Sequence, residues 1–580
     1  MGRAHRLTIG FEALRADAAA FRNNLRNTFL RVSPGRRLWQ GPTGTVAYGI
    51  PPGLRPGNPA RGEAWLAGDY TLPGAIVRDS RGTDNHLLPF QINPPNAEWR
   101  DGLHSFHWLC DLLALPDATG HQMSRDMILH WVQAGYMGRK KFMAPPVVSR
   151  RLARWNLALG VLKAGFDSQE LARINACYTH QARWLARTIG QIPDGPDRLE
   201  AAIGLTLAGL SLPQEGQILR QGMDLLIREL RRQILPDGGH ISRSPDILVD
   251  LLADLIAIES GLAARQIAPP NLFAITLTRM QAMVRMLRHR DKRLAVFQGG
   301  IECDVPSLEA VLPKKDQTPM SFAPKSGYQR LDAEQTTVLV DTGGEMSGPH
   351  SLKSHPAPLA FEMSHGSDRL IVNCGPNLVH GADWKLAARG LSAHSTLSFD
   401  QDIKDPFLRS GHAARRLGPR LKADDWQVTA RRVEDKTGIW FEASHGIFLE
   451  THGVRHNRRL FIDARGEDFR GEDLLLADMN HDAAEGAPFH LRFHLHPEVT
   501  ASLQSGGDAV LLLTPSGHGW QFRTGNDSPT QLRLEESVYM GHNGVPQRSQ
   551  QLAIRGQLGH TDTLIRWALR YAGRRGKRRS

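Results

Sequence analysis

Leu235-Pro-Asp-Gly-Gly-His-Ile-Ser-Arg-Ser-Pro245 separates two long amphipathic segments. Gly238 and Gly239 supply the backbone freedom expected just past a helix end. Ser244-Pro245 reads as an N-cap followed by proline at the first helical position. His240 and Arg243 therefore fall on a short loop between helices, where rigid flanks can hold polar groups for a site. The plainer reading is a helix–helix connection in which the histidine and arginine cap carbonyls.

Outward from this loop, the apolar residues keep a 3.6-residue period. Residues 218–234 carry Leu219, Met223, Leu226, Ile227, Leu230 and Ile234 on one stripe, and residues 247–262 carry Leu248, Leu251, Leu252, Leu255 and Ile258. Similar stripes occupy 149–162, 199–212 and 270–287. Successive helices with short connections predict stacked antiparallel hairpins, as in a bundle, solenoid or toroid.

Near residue 300 the pattern changes. Residues 301–325 read as a linker, after which short period-2 runs at 337–340, 359–363, 370–372, 439–442, 460–462 and 510–513 predict an antiparallel sandwich. The clearest strand is Phe489-His-Leu-Arg-Phe-His-Leu-His496, with Phe489, Leu491, Phe493 and Leu495 on one face and His490, Arg492, His494 and His496 on the other. Neighbours on one strand face are about 6.5–7 Å apart. That is too far for one compact metal site without other strands, so a polar face is the plainer reading. The fold class is multidomain α+β. An N-terminal segment (1–100) precedes a helical domain (101–300), the linker (301–325), the sandwich (326–560) and a basic tail (561–580). Within the first segment, residues 1 to 40 predict a basic amphipathic helix ended by Ser33-Pro-Gly35, either packed on the body or lying on a membrane surface. Short strands at Trp65-Leu-Ala67 and Asp69-Tyr-Thr-Leu72 follow among loops.

Composition narrows the function classes. The net charge of +12 in 580 residues favours anionic partners such as acidic polysaccharide, nucleic acid or lipid headgroups. Part of that excess is the run Arg574-Arg-Gly-Lys-Arg-Arg579, which reads as a solvated tail. Cys110, Cys177, Cys303 and Cys374 form no CxxC pair, so neither a thiolate zinc site nor a disulfide framework is indicated. The first thirty residues lack the apolar core of a secretory signal, and no run of eighteen apolar residues exists. The expectation is a cytoplasmic protein.

Several segments, in order, carry a family likeness: the Pro236-Asp-Gly-Gly-His-x-x-Arg-Ser-Pro245 loop, Val147-Val-Ser-Arg-Arg-Leu-Ala-Arg-Trp-Asn156, Ser326-Gly-Tyr-Gln-Arg-Leu331, Leu370-Ile-Val-Asn-Cys-Gly375, Ala393-His-Ser-Thr-Leu-Ser-Phe399 and Arg492-Phe-His-Leu-His-Pro497. This set resembles the heparinase II/III-like polysaccharide lyases over roughly residues 100 to 560. The resemblance implies an incomplete (α/α) toroid followed by an antiparallel β-sandwich, with an acidic uronate polymer cleaved by β-elimination in the cleft between them. That reaction needs a donor or cation on the uronate carboxylate, a base for the neighbouring proton and an acid for the leaving oxygen.

The resemblance also implies site residues. His355 and His394 match family histidines, and with His240 they form the expected catalytic centre. Arg198 and Arg243 suit bidentate carboxylate binding, and His456, in Val454-Arg-His-Asn-Arg-Arg459, matches a basic strand expected to line the cleft. In some members a structural zinc is held by residues at the positions of His355, Asn373 and His394; Asn373 stands where the family has aspartate and is a poorer ligand. The alternative is two hydrogen-bonded cleft histidines. No other cofactor is implied.

Two departures bear on catalysis. Pro196-Asp197 replaces the family's Asn-His pair, and Ile247 occupies the place of its catalytic tyrosine. An aspartate repels a carboxylate, and an isoleucine moves no proton. Tyr136, Tyr178 and Tyr328 are the candidates to fold into the tyrosine's place. Two readings follow: a lyase of acidic glycans, or a non-catalytic glycan-binding or envelope-assembly protein on the same scaffold. A periplasmic or envelope location is the family's alternative to the cytoplasm. No nucleic-acid motif supports a third reading through the basic tail.

Overall fold

The computed structural model describes residues 3–48, 57–78, 88–313, 318–344, 346, 348–400, 406–422, 427–478, 484–525 and 529–574. The helical half runs from Ala97–His104 through Ala118–Gln133, Pro145–Leu162, Ser168–Thr188, Pro196–Ser211, Gly216–Gln233, Pro245–Ala264 and Asn271–Met286. Prolines at the first turn start three of these helices, where the missing N–H is harmless and the fixed φ suits the helix. Ser168–Thr188, absent from the expected stripes, starts with a capping box between Asp167 and Glu170.

Pro196–Ser211 is the hub of this half. Every residue from Ala201 to Ser211 is buried, which an amphipathic surface helix would not show. Neighbouring helices approach it closely: a Cβ on Gly204 would sit 2.5 Å from the Ser149 carbonyl oxygen. The glycine is what lets Pro145–Leu162 pack this near.

The sandwich consists of two antiparallel sheets. One has eight strands, in the order Thr500–Leu503, Ala509–Leu513, His518–Thr524, Thr563–Arg574, Asp468–Ala477, Val454–Asp463, Gly438–His445 and Val428–Asp435. The other has nine. Pro488–Leu495 lies at its centre, between Gln547–Gln557 and Asp368–Val372, with Leu397–Phe399 paired alongside. The alternation read from the sequence holds: Phe489, Leu491, Phe493 and Leu495 face the core at 0–1% exposure. Phe361, Phe469, Phe522 and Trp567 meet Phe493 or one another between the sheets.

Two expectations are corrected here. Trp65 lies in the helix Pro59–Leu66, capped by Asn58 with proline next, and not in a strand. The expected tail from 561 is largely strand Thr563–Arg574, central in the eight-stranded sheet. Ile565, Trp567 and Leu569 alternate into the core while Arg566 and Arg570 face solvent; the charge of the run masked its period of two. Residues 575–579 of the basic run lie outside the described residues. The linker contains the helix Val305–Val311 and the strand Phe322–Ala323.

The two halves are joined by buried polar contacts. Arg330 donates to the carbonyls of Met286 and Arg288 at 2.9 and 2.6 Å. Arg369 pairs with Asp291 at 2.8 Å, and His289 meets Glu362 at 3.1 Å. The loop 235–245 forms the centre of this joint. Asp237 accepts from the backbone N–H groups of Lys325 and Ser326, both at 2.8 Å. Gly238, at φ 93°, turns the chain where any Cβ would meet Arg279 backbone.

Candidate functional site

The toroid wall of the interdomain boundary is built at the N-terminus of Pro196–Ser211. Arg150 bridges Asp197 and Glu200. Arg198 pairs at 3.0 Å with Glu229, whose side chain is fully buried, and Arg232 pairs with Asp194. Arg150, Arg198 and Arg232 are thus each engaged by a carboxylate of the chain, while Lys353 lies close enough to act on Asp197 and Glu200, and Arg154 on Glu200. Arg198, expected to hold a substrate carboxylate, already holds one from its own chain.

His240 lies behind this wall. Its Nδ1 accepts from the Ser242 N–H at 3.1 Å, so Nε2 carries the proton and donates to Gln233 Oε1 at 3.1 Å. Burial, with His350 beside it, lowers its pKa to about 3. It is a neutral imidazole with both nitrogens engaged, which corrects its reading as an acid or base. Gln233 in turn donates to Glu229 at 3.1 Å and to the Gly195 carbonyl at 3.2 Å.

Arg243 is also corrected. Held at φ 59°, it is buried at 7% exposure. Its guanidinium donates to the carbonyls of Ser326 at 2.7 Å and Gly327 at 3.0 Å, pairs with Asp341 and lies 4.9 Å above the Tyr328 ring. Through Nε and Nη2 it fastens one half of the molecule to the other. The carbonyls it holds are not those of the flanking helix ends but those of Ser326 and Gly327 in the sandwich half.

The sandwich wall carries the histidine pair. His394 Nδ1 donates to the Gly390 carbonyl at 2.7 Å, which leaves its Nε2 as an acceptor. His355 Nδ1 donates to that Nε2 at 2.6 Å. The remaining nitrogen, His355 Nε2, is a buried lone pair with no hydrogen-bond partner among the described residues. Burial, then the neighbouring His394 and Arg389, holds the His355 pKa well below the usual range. Gln298 positions the pair: its Oε1 accepts from the His355 N–H at 2.9 Å, and its Nε2 donates to Asp341 at 2.7 Å. Thus Arg243, Asp341, Gln298, His355 and His394 form one chain of contacts across the joint. Gln298 and Asp341 were not anticipated; the only sequence sign was Gln298 before two glycines.

The same geometry tests the zinc reading. A metal needs a lone pair from each imidazole at about 2.0–2.1 Å. Here one imidazole donates its proton to the other. Asn373 Oδ1 accepts from the Ser395 N–H at 3.0 Å, and its Nδ2 donates to Glu362 at 3.1 Å. Among the described residues no group of three or more His, Cys, Asp or Glu is arranged to hold a metal. The trio His355, Asn373 and His394 does not fit a zinc ion as arranged.

His456 is corrected from cleft to core. It is fully buried between the sheets, donating from Nε2 to Asp473 at 2.7 Å and accepting at Nδ1 from His445 at 3.0 Å. Asp473 also takes Arg458 and the Trp567 indole N–H. The histidines of the 489–496 strand separate as well. His494 meets Ser537 at 2.8 Å and the Ser392 carbonyl at 3.0 Å, His490 pairs with Asp400 at 2.6 Å, and His496 lies 3.7 Å from Glu302. Cys374, which follows Asn373, lies 3.4 Å from His494. None of the three candidate tyrosines replaces the missing one. Tyr136 and Tyr178 are buried within the toroid, and the Tyr328 hydroxyl donates to the Arg243 carbonyl.

Comparison with known proteins agrees with this architecture. The family model "Heparinase II/III-like, C-terminal" matches residues 315–568. FtsZ-localized protein C of Caulobacter vibrioides is 32% identical over 575 residues, covering 96% of either chain. The solved structure of heparinase III superposes with a TM-score of 0.65 at 14% identity, covering 96% of this chain and 90% of that one. The heparan sulfate lyase HepC of Pedobacter heparinus gives a TM-score of 0.55 at 13% identity, covering 99% and 89%. Likeness at such identity shows the fold, a helical toroid followed by an antiparallel sandwich, and not the activity. By the family match, the full-length relative and the shared fold, this chain belongs to the heparinase II/III-like family.

Proposed function

We propose that this protein is a non-catalytic member of its family, a lyase scaffold employed in assembly of the cell envelope at division. One observation carries the reading: the wall that must neutralise a uronate carboxylate presents Asp197, tied to Arg150, with Arg198 tied to Glu229. Ile247 supplies no proton on the same side. An elimination needs charge stabilisation aimed at the developing carbanion, and Arg150 and Arg198 are both engaged by carboxylates of the chain. The similarity to FtsZ-localized protein C over nearly the whole chain supports a role beside the FtsZ-based division apparatus, in the cytoplasm. No helix among the described residues is long and apolar enough to cross a membrane. The test is co-sedimentation of the purified full chain with assembled FtsZ. Enrichment in the polymer pellet supports the reading, and its absence under conditions where FtsZ assembles counts against it.

The second reading, a lyase of acidic glycans, is favoured by His355. Its Nε2 lone pair, the free nitrogen a general base needs, has no hydrogen-bond partner among the described residues, and its Nδ1 is held by His394, though burial weakens its basicity. Turnover of a uronate polymer that disappears in His355→Ala would establish it.

A further inference from the structure

On the outer face of the eight-stranded sheet, Ala568 is surrounded by arginines. Its cross-strand partners are Arg470 in Asp468–Ala477 and Arg523 in His518–Thr524. Arg566 and Arg570 stand two residues before and after it on its own strand, and so on the same face. Ile565, Trp567 and Leu569 point the other way, into the core. All four arginines are exposed. With only the Ala568 methyl group at its floor, they wall a groove of about 450 Å³ that Gln521 and Thr524 also line. Charge is unbalanced there. Along the next row of the sheet, Arg459 lies between Glu442 at 3.0 Å and Glu472 at 3.9 Å. In the groove, Arg470 and Arg570 both turn to Asp468, Arg570 at 3.6 Å, and Arg566 takes Glu472 at 2.7 Å. Arg523 has no carboxylate partner among the described residues.

We propose that this groove binds the phosphoryl groups of a small phosphorylated molecule. Guanidinium forks match phosphate oxygens in pairs. Several forks lining one small floor suit a tetrahedral group with three terminal oxygens better than a planar carboxylate with two. A phosphomonoester also carries a charge of about −1.5 to −2 at neutral pH, which answers an excess left on Arg523 and on the two arginines that share Asp468. The volume falls in the range of small-molecule pockets, roughly 300–1,000 Å³, and far exceeds a bare phosphate. Gln521 and Thr524 offer polar contacts to the rest of the molecule. The groove opens on the side of the sheet turned away from the nine-stranded sheet, and the proposal is independent of how the cleft is read.

Calorimetric titration of the purified full chain tests this with inorganic pyrophosphate, ADP, glucose 1-phosphate and sulfate as probes. Pyrophosphate and at least one of the two esters should bind roughly tenfold or more tightly than sulfate, and the affinity should fall as sodium chloride is raised. Preference for ADP or for glucose 1-phosphate then tells whether a nucleoside or a sugar fills the remaining volume. Arg523→Gln should weaken binding about tenfold. Ala568→Leu, which fills the floor from a solvent-facing strand position, should abolish it. Circular dichroism and the unfolding midpoint should stay unchanged in both variants. No binding of pyrophosphate, equal binding of sulfate, or rejection of both esters overturns the proposal, as does unaltered binding by the two variants.

Discussion

The interdomain joint and the N-terminal helix are opposites. At the joint, polar side chains are matched: buried Arg243 with Asp341, half-buried Asp237 with the backbone of Lys325 and Ser326, buried His240 with Gln233 and Ser242. On the helix Arg3–Arg31, the large apolar side chains Phe11, Leu14, Phe21, Leu25 and Phe29 are more than half exposed. Residues in the family's catalytic neighbourhood have become fasteners, and the surface left unsatisfied lies elsewhere. The difference teaches that position in a motif locates a residue in the fold, while its unspent contacts indicate what it is free to do.

The contrast can be broken most sharply at Arg243. Arg243→Ala leaves Asp341 buried without its partner, which should cost about 3–5 kcal/mol; urea unfolding measures it. A loss below 1 kcal/mol would mean that the joint does not depend on this pair. Gly204→Ala places a methyl 2.5 Å from the Ser149 carbonyl oxygen and should destabilise by about 1–3 kcal/mol through overpacking. Acid should act on the same buried network. Burial lowers the pKa of His240 and His494 to about 3 and that of His394 to about 4. Between pH 7 and 5 the unfolded chain takes up protons that the folded chain refuses, so stability is full above pH 6.5 and falls on acidification. Each such histidine contributes roughly 2 kcal/mol of loss over that interval. His240→Gln should flatten the slope of unfolding midpoint against pH, and an unchanged slope would deny that His240 is neutral and buried in solution. The smallest effect belongs to the helix: Phe21→Glu should shift stability by no more than about 0.5 kcal/mol. A larger loss would show that its stripe is packed in solution.

Much of the fold was legible because apolar residues recur at helical and strand periods along the chain. The helical stripes and the alternation at Phe489–Leu495 needed only the chain itself. Trp65 was misread because a short apolar run does not distinguish a strand from a helix, although Asn58-Pro59 marked a helix start. The site was legible only in part. His355 and His394 come together as their motifs implied, but no spacing rule reveals that Arg198 and Arg243 have partners far along the chain. His456 could have been placed correctly: it shares a strand face with Leu460 and Ile462, both buried. Its basic neighbours drew attention to the wrong face.

We propose that the cleft does not carry out elimination. The direct measurement is ultraviolet absorbance of the unsaturated product when the purified chain is incubated with heparan sulfate, alginate and acidic bacterial exopolysaccharides, beside an active lyase control. The prediction is no increase with any polymer while the control responds. An increase that His355→Ala removes would contradict the account and place a working base on the sandwich wall.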